Sequence, residues 1–277
     1  MNERQWLSLR EMQDAYYELL IEFDCICNEN NLRYDLCGGS MLGAVRHKGF
    51  IPWDDDIDVS MPRPDYDRFL ELYEKKQIRI PEDRAVISNR DDTFARHYAR
   101  YIRKDIGSVL ELFDETDCPY LGIDIFTVDG MPENRFLLKA QVWAIRQLRK
   151  LMLTSVQTKN GSKRSKLISV AKNLLQPVLR AIGSFRISRT VEWWCRRIPY
   201  ESAKYVGILN GMYGTKERWL KKDMLPQQNF RFRDGEYPGY VNYHAYLSNI
   251  YGTDYMQLPP IEKQKPHGAK AFKINCG

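Results

Sequence analysis

No stretch of this chain stays apolar for long enough to cross a bilayer, and its first residues, Met1-Asn2-Glu3-Arg4-Gln5-Trp6, lack the apolar core of a secretion signal. The six cysteines (Cys25, Cys27, Cys37, Cys118, Cys195, Cys276) form no C-x-x-C pair and have no histidine partner at zinc-finger spacing. Disulfide frameworks and structural zinc sites are thereby disfavoured. Gly and Pro, at 17 and 13 of 277 residues, are too few for a fibrous or low-complexity chain. These absences together point to a reducing, cytoplasmic setting. Acidic residues are nearly missing from one segment: between Arg135 and Arg197, fifteen Lys and Arg stand against Glu192 alone. That segment has a net charge of +14 in a chain of net +6, so the remainder sums to −8.

What is present is a globular chain with 43% hydrophobic and 28% charged residues, a mean hydropathy of −0.53, and length for one large or two smaller domains. Residues 6–28 place Trp6, Leu9, Met12, Tyr16, Leu19, Leu20, Phe23 and Ile26 at helical spacing. Residues 32–36 alternate as a short strand, and Gly38-Gly39-Ser40 breaks the pattern, with Ser40 as N-cap of a helix over 41–47 and Gly49 as its stop. A second strand is expected at 57–61, followed by a helix with Pro62 in its first turn. Further strands fall at 85–88, 98–103 and 121–128. From 132 to 213 strand signals nearly vanish, and helices are expected near 136–152, 166–182 (kinked or split at Pro177) and 191–197. The fold class is α/β (α+β): a mixed-sheet core over 1–131, a helical basic segment over 132–215, and a C-terminal part over 216–277, with a short helix near 241–250, packing back on the core. The basic segment has three readings: a solvated helical face, a contact with anionic lipid or a lipid-linked acceptor, or, least favoured, nucleic acid.

The densest chemical signal is Trp53-Asp54-Asp55-Asp56-Ile57-Asp58-Val59. Four carboxylates in five positions repel one another unless exposed or neutralised by a cation. On a strand, Asp54, Asp56 and Asp58 would share one face, giving a hard-oxygen site suited to Mg²⁺ or Mn²⁺, with Asp55 and Ile57 on the other. A calcium loop starting at Asp54 would need Gly at Val59 and Glu at Asp65, so that version fails. Upstream, Gly38-Gly39-Ser40 at a strand-to-helix turn offers close backbone approach and N–H groups to a phosphate. The two halves together are what metal-assisted phosphoryl transfer requires.

The run from Gly38 to Asp58, with Gly38-Gly39-Ser40-Met41-Leu42-Gly43-Ala44-Val45-Arg46-His47-Lys48-Gly49 leading into Phe50-Ile51-Pro52-Trp53-Asp54-Asp55-Asp56-Ile57-Asp58, closely resembles the signature of the LicD family of phosphocholine transferases. That family is a branch of the nucleotidyltransferase superfamily that includes fukutin-related ribitol-phosphate transferases. Asp124-Ile125-Phe126 before Asp129-Gly130, and the stretch from Tyr251-Gly252 through Tyr255-Met256 to Leu258-Pro259-Pro260, extend the resemblance over most of the chain. Phe230-Arg231-Phe232-Arg233-Asp234-Gly235 departs from the family's Phe-Glu-Gly.

The resemblance implies a nucleotidyltransferase-like core and metal-dependent transfer of phosphocholine from CDP-choline to a hydroxyl of a glycan or lipid-linked glycan precursor, of the lipopolysaccharide or teichoic acid kind, releasing CMP. Asp56 and Asp58 would hold the metal, Asp54 would be an additional ligand, and Asp124 would complete the site or accept the hydroxyl proton. Gly38, Gly39 and Ser40 would hold phosphates, and Arg46, His47 and Lys48 would neutralise them. Aromatic faces suit a quaternary ammonium, with Trp53 foremost and Phe126, Tyr251 and Tyr255 behind it. His244 and His267 are expected to be structural or surface residues. Transfer of another CDP-linked group (ribitol phosphate, glycerol phosphate, phosphoethanolamine) and nucleotidyl transfer to a small molecule remain open. A protein of this kind would be cytoplasmic, with peripheral contact at the inner membrane face.

Overall fold

A computed structural model describes residues 4–110, 119–157, 166–224 and 226–274. Helix α1 (Leu9–Glu29) begins later than its apolar spacing suggests, because Ser8 and Glu11 form a capping box. The preceding Trp6 instead bridges to Phe272 near the C-terminus. Strand β1 (Asp35–Leu36) runs into α2 (Gly38–His47), then come β2 (Asp58–Pro62) and α3 (Arg63–Glu74). Pro62 is the N-cap of α3 and Pro64 lies in its first turn. Strands β3 (Arg84–Ile87), β4 (Ala99–Leu110) and β5 (Tyr120–Met131) follow.

Three helices come next: α4 (Arg135–Val156), α5 (Lys166–Ile182) and α6 (Ser184–Cys195). Helix α5 runs through Pro177 without splitting. A proline removes one backbone bond, and side chains on either side tie the helix to the end of α4: Gln176 Nε2 donates to Thr154 O at 3.0 Å and Arg180 Nε to Ser155 O at 3.2 Å. Strand β6 (Tyr205–Gly207) corrects the expectation of a strand-poor segment. The chain closes with β7 (Trp219–Leu220), α7 (Lys221–Met224), β8 (Gln227–Phe232), β9 (Gly235–Tyr240), α8 (Tyr243–Tyr251) and β10 (Ala269–Lys273).

Among the described residues the strands form an eight-stranded mixed sheet with the path β1-β2-β5-β4-β10, to which β3, β6 and β7 are joined, and a separate β8-β9 hairpin. The class is α+β. Only β2 and β5 pair in parallel, and they set Asp58 opposite Asp124. The register needs both strands anchored, and their central residues Val59, Met61, Ile123 and Ile125 are fully buried. Helix α1 covers the sheet with Leu19, Leu20 and Phe23, also fully buried.

The helical segment is tied to the core by charge. Arg63 of α3 donates through Nε and Nη2 to Asp129 of β5 at 2.6 and 2.8 Å, and through Nη1 to Glu192 of α6 at 3.3 Å. Core carboxylates also neutralise part of the basic excess: Arg196 pairs with Asp67 and Arg189 with Asp92. Lys159, Lys163 and Arg164 lie outside the described residues, as do Cys118 and Cys276.

Candidate active site

The acidic run enters β2 as an irregular segment; only Asp58 lies on the strand, so alternation does not place the carboxylates. They split by role. Asp55, 1% exposed, accepts from the N–H groups of His267, Gly268 and Ala269 at 2.9, 3.1 and 3.0 Å and so fixes the start of β10. Asp54, Asp56 and Asp58 line a cleft of about 1090 Å³. Asp124 stands beside Asp58, since register partners on parallel strands point to the same face. It is ion-paired with Arg100 Nε at 2.5 Å and accepts a hydrogen bond from Tyr98.

Crowding marks these carboxylates. Burial, then the charges of Asp56, Asp124 and Asp54, hold Asp58 well above the usual carboxylate range. Burial and Asp56 push Asp54 up to about 7. Asp124 is also raised, by burial, although Arg100 opposes the shift. Such a set needs added positive charge to be fully ionised. Part of that charge is His267, whose Nδ1 lies 3.5, 3.2 and 3.3 Å from Asp54, Asp55 and Asp56. Hydrogen bonding to Asp55 and Asp56 raises its pKa to about 11, which favours a charge-balancing imidazolium over a general base. Asp54, Asp55 and Asp56 present carboxylate oxygens within 4.8 Å of one another.

The glycine turn packs directly on the acids. A Cβ on Gly39 would lie 2.8 Å from Asp54 Oδ2, and one on Gly38 would lie 3.6 Å from Asp58 Oδ2. Gly38 has φ +53, a conformation that disfavours side chains. Helix α2 therefore starts at Gly38 rather than after Ser40. Ser40 is not its N-cap: its Oγ accepts the N–H of Asp58 at 2.8 Å, joining α2 to β2. The N–H of Gly38 is donated to Tyr246 Oη at 3.0 Å. At the other end Lys48, not Gly49, adopts the left-handed cap.

The three basic residues at that end diverge. Arg46 lines the cleft and donates through Nη1 to the carbonyls of Tyr255 and Gln257 at 2.7 and 3.1 Å, fastening the C-terminal segment over the site. His47 accepts from Arg46 Nε at 2.9 Å and does not line the cleft. Lys48 is exposed and borders a different depression, beside the β8-β9 hairpin. Trp53, Phe126, Tyr251 and Tyr255 all line the cleft; Phe126 packs on Tyr98 with ring centres 4.8 Å apart. His244 lies against the Tyr255 hydroxyl at 3.0 Å.

The family model described as "LicD/FKTN/FKRP, nucleotidyltransferase domain" matches residues 31–127. Across 94% of this chain, and 96% of the relative, the sequence is 30% identical to a Haemophilus influenzae protein named lipopolysaccharide cholinephosphotransferase LicD. The chain belongs to the LicD family. Shorter matches join this LicD-family chain to uncharacterized proteins of Rickettsia typhi, at 36% identity over 26% of the chain and 21% of that protein, and Rickettsia prowazekii, at 39% over 18% and 19%.

Two cleft residues of this LicD-family chain escape a reading of its sequence. His267 reaches the acids only because β10 pairs with β4. Glu217 lines the cleft at 2% exposure, between Lys216 and Arg218, with no motif around it to mark it.

Proposed function

We propose that this chain transfers phosphocholine from CDP-choline to a hydroxyl of a cell-surface glycan precursor, of the lipopolysaccharide or teichoic acid kind, with release of CMP. The observation that carries the reading is the Asp58-Asp124 pair set against the Gly38-Gly39 turn, in a chain related over nearly its full length to a cholinephosphotransferase.

A divalent cation, Mg²⁺ or Mn²⁺, fits the donor set: clustered carboxylates without enough counter-charge, and no soft ligand among them. Asp56 and Asp58 would hold it, with Asp54 as an additional ligand, and it would supply Lewis-acid stabilisation of charge gathering on the transferred phosphate. Gly39 and Ser40 offer N–H groups at the start of α2 to the donor's phosphates. Arg46 adds positive charge at the same wall. Asp124, oriented by Arg100 and Tyr98, completes the acid cluster or takes the proton from the attacking hydroxyl. As that hydroxyl oxygen bonds to the choline-bearing phosphorus, the bond from phosphorus to the CMP oxygen breaks, and CMP leaves with the electron pair. Aromatic faces, Trp53 foremost, receive the headgroup.

Residues 1–131 would then supply the chemistry, 216–277 the outer wall, and 132–215 a membrane-facing module. The structure has no helix long and apolar enough to span a membrane among its described residues. Helix α5 turns Leu174, Val178 and Ile182 outward at 74%, 55% and 45% exposure, and α4 does the same with Phe136 and Trp143 at 78% and 66%. Apolar residues interleaved with basic ones suit the surface of an anionic bilayer, where a lipid-linked acceptor would be met at the cytoplasmic face.

The test is release of CMP from CDP-choline, CDP-ethanolamine, CDP-glycerol and CDP-ribitol with Mg²⁺ and membrane extract as acceptor source, in wild type, Asp56→Ala and Asp58→Ala. Choline-selective release lost in both variants is expected. Release of phosphocholine, with CMP carried to the acceptor, would replace this reading with nucleotidyl transfer.

A further inference from the structure

One carboxyl on the cleft wall has no part in the chemistry above. Glu217 ends a short 3-10 turn (Gly214–Glu217), and two glycines make its position possible. A Cβ on Gly207 would overlap the Glu217 carbonyl at 1.7 Å, and one on Gly211 would meet Glu217 Oε1 at 2.7 Å. The residue is thus clamped by backbone that approaches too closely for any other side chain. The N–H of Tyr213 bonds to its carboxyl, but Oε2 is buried with no hydrogen-bond partner among the described residues. Nor does any cation pair with it there. Arg149, the guanidinium that acts on it electrostatically, donates through Nη1 to the Gly211 carbonyl at 2.9 Å and forms no ion pair with it. Burial raises the Glu217 pKa to about 8, the sign expected of a carboxylate lacking its counter-charge.

The surroundings are aromatic with their polar ends engaged. Tyr213 donates its hydroxyl to that of Tyr251 at 2.7 Å, and the Tyr246 hydroxyl accepts the N–H of Gly38. All three tyrosines line the same cleft as Glu217. Ring surface plus one carboxyl without a counter-ion, which an entering cation would draw into its ionised form, is what a cation without hydrogen-bond donors requires, and a polyol would find little use for it. The wall is also adjacent to the chemistry: the Tyr251 hydroxyl and Asp58 Oδ2 both lie within 4.0 Å of one point beside Gly38. Choline puts two carbons between its phosphoester oxygen and its nitrogen, a reach suited to bridging from the acid cluster to the next wall.

We infer that Glu217, with Tyr213, Tyr246 and Tyr251, forms the subsite that receives a quaternary ammonium on the donor and makes the enzyme select a cationic headgroup. This rests on the CDP-linked donor proposed above, and it assigns the charge selection to Glu217 rather than to Trp53.

The experiment is calorimetric binding, which needs no acceptor, of CDP-choline and of its neutral isostere bearing a 3,3-dimethylbutyl group in place of choline, to wild type, Glu217→Gln and Trp53→Leu. Wild type should bind CDP-choline at least tenfold more tightly than the isostere. Glu217→Gln should lose most of that ratio by weakening CDP-choline alone, and Trp53→Leu should lower it by less. Equal weakening of both ligands by Glu217→Gln would make the residue structural or a cytidine contact and overturn the inference, as would an unchanged ratio. If Glu217→Gln does not fold, tetramethylammonium decides on wild type alone: competition with CDP-choline that neutral tert-butyl alcohol at the same concentration does not reproduce supports the subsite, and no competition overturns it. Failure of wild type to bind either CDP ligand would instead sink the donor assignment.

Discussion

Replacing Gly39 by alanine should separate stability from function at the second residue of α2. The new methyl would sit 2.8 Å from Asp54 Oδ2, whereas comfortable contact begins at about 3.5 Å, so the carboxylate must retreat by roughly 0.7 Å. The backbone does not resist, because Gly39 is absent from the residues with positive φ. In a helix interior alanine is favoured over glycine by about 0.8–1.0 kcal/mol, and by less this close to the N-terminus. Stability should therefore hold or rise slightly. Turnover should not: a misplacement near 1 Å costs on the order of a hundredfold in a preorganised site. The expected outcome is a melting temperature at or above wild type, with metal-dependent CMP release reduced between about ten- and hundredfold. Gly38→Ala is the contrasting control. Its φ of +53 forces alanine into the left-handed region at a cost of about 1–2 kcal/mol, so it should melt earlier by several degrees as well as lose activity. Wild-type turnover in Gly39→Ala, or loss of turnover only in step with loss of fold, would refute the reasoning.

Three further outcomes are expected. Arg63→Met leaves Asp129 buried without its counter-ion, while Glu192 keeps Arg196, and should lower unfolding free energy by about 3–5 kcal/mol in urea at unchanged slope; a loss below about 1 kcal/mol would show that this network does not tie α6 to the core. Burial lifts Asp35 from 3.8 to about 7, so the folded protein keeps a proton that the unfolded chain has released, and stability falls as pH rises between those values, by an order of 4 kcal/mol. Asp35→Asn keeps a partner for Gln227 and should be more stable than wild type at pH 8, with the gap closing toward pH 4; equal pH slopes in the two proteins would contradict it. Vesicles rich in phosphatidylglycerol should sediment the wild-type protein and release it with salt, while Leu174→Ser/Val178→Ser should bind them at least fivefold more weakly; equal binding to neutral phosphatidylcholine vesicles would remove the charge component.

The legible parts of the site are those that sit on one continuous stretch of chain. The Gly38-Gly39 turn and the acidic run are 16 residues apart, and their types declare what they can do before any fold is known. The strand that carries Asp124 was legible because it is long and well bounded, and Asp124 itself was singled out by the family resemblance. Roles within the turn were not legible. Ser40 looks like a cap and proves to be the strut between α2 and β2, because the helix starts two residues earlier in a conformation that only Gly38 allows. Arg46, His47 and Lys48 look equivalent on a helix end, yet their side chains leave it in different directions, and only Arg46 reaches the cleft. Strands of two to six residues, such as β6 to β10, have too few positions to show a period, so sequence pattern could not place the walls they carry. His267 and Glu217 were hidden for that reason.

This division has a consequence for how the enzyme's two tasks can change. The acid cluster is held by the β2-β5 register, the bond from Asp58 to Ser40 and the tie of Asp55 to the start of β10. The wall bearing Glu217 is held by close packing on Gly207 and Gly211 and by the tyrosine contacts. The two sets share a border at Gly38, where Tyr246 and Tyr251 meet α2, but no ligand atom. If that wall receives the headgroup as proposed, a substitution that alters it leaves the carboxylates where they are, and donor preference can move while phosphoryl transfer persists. Changes to the register between Asp58 and Asp124 cannot be tolerated in the same way, because a one-residue slip turns one of the pair to the opposite face of the sheet. On the proposed reading the acids and the glycine turn fix the chemistry, whereas the C-terminal wall is where LicD-family chains with different donors should differ most.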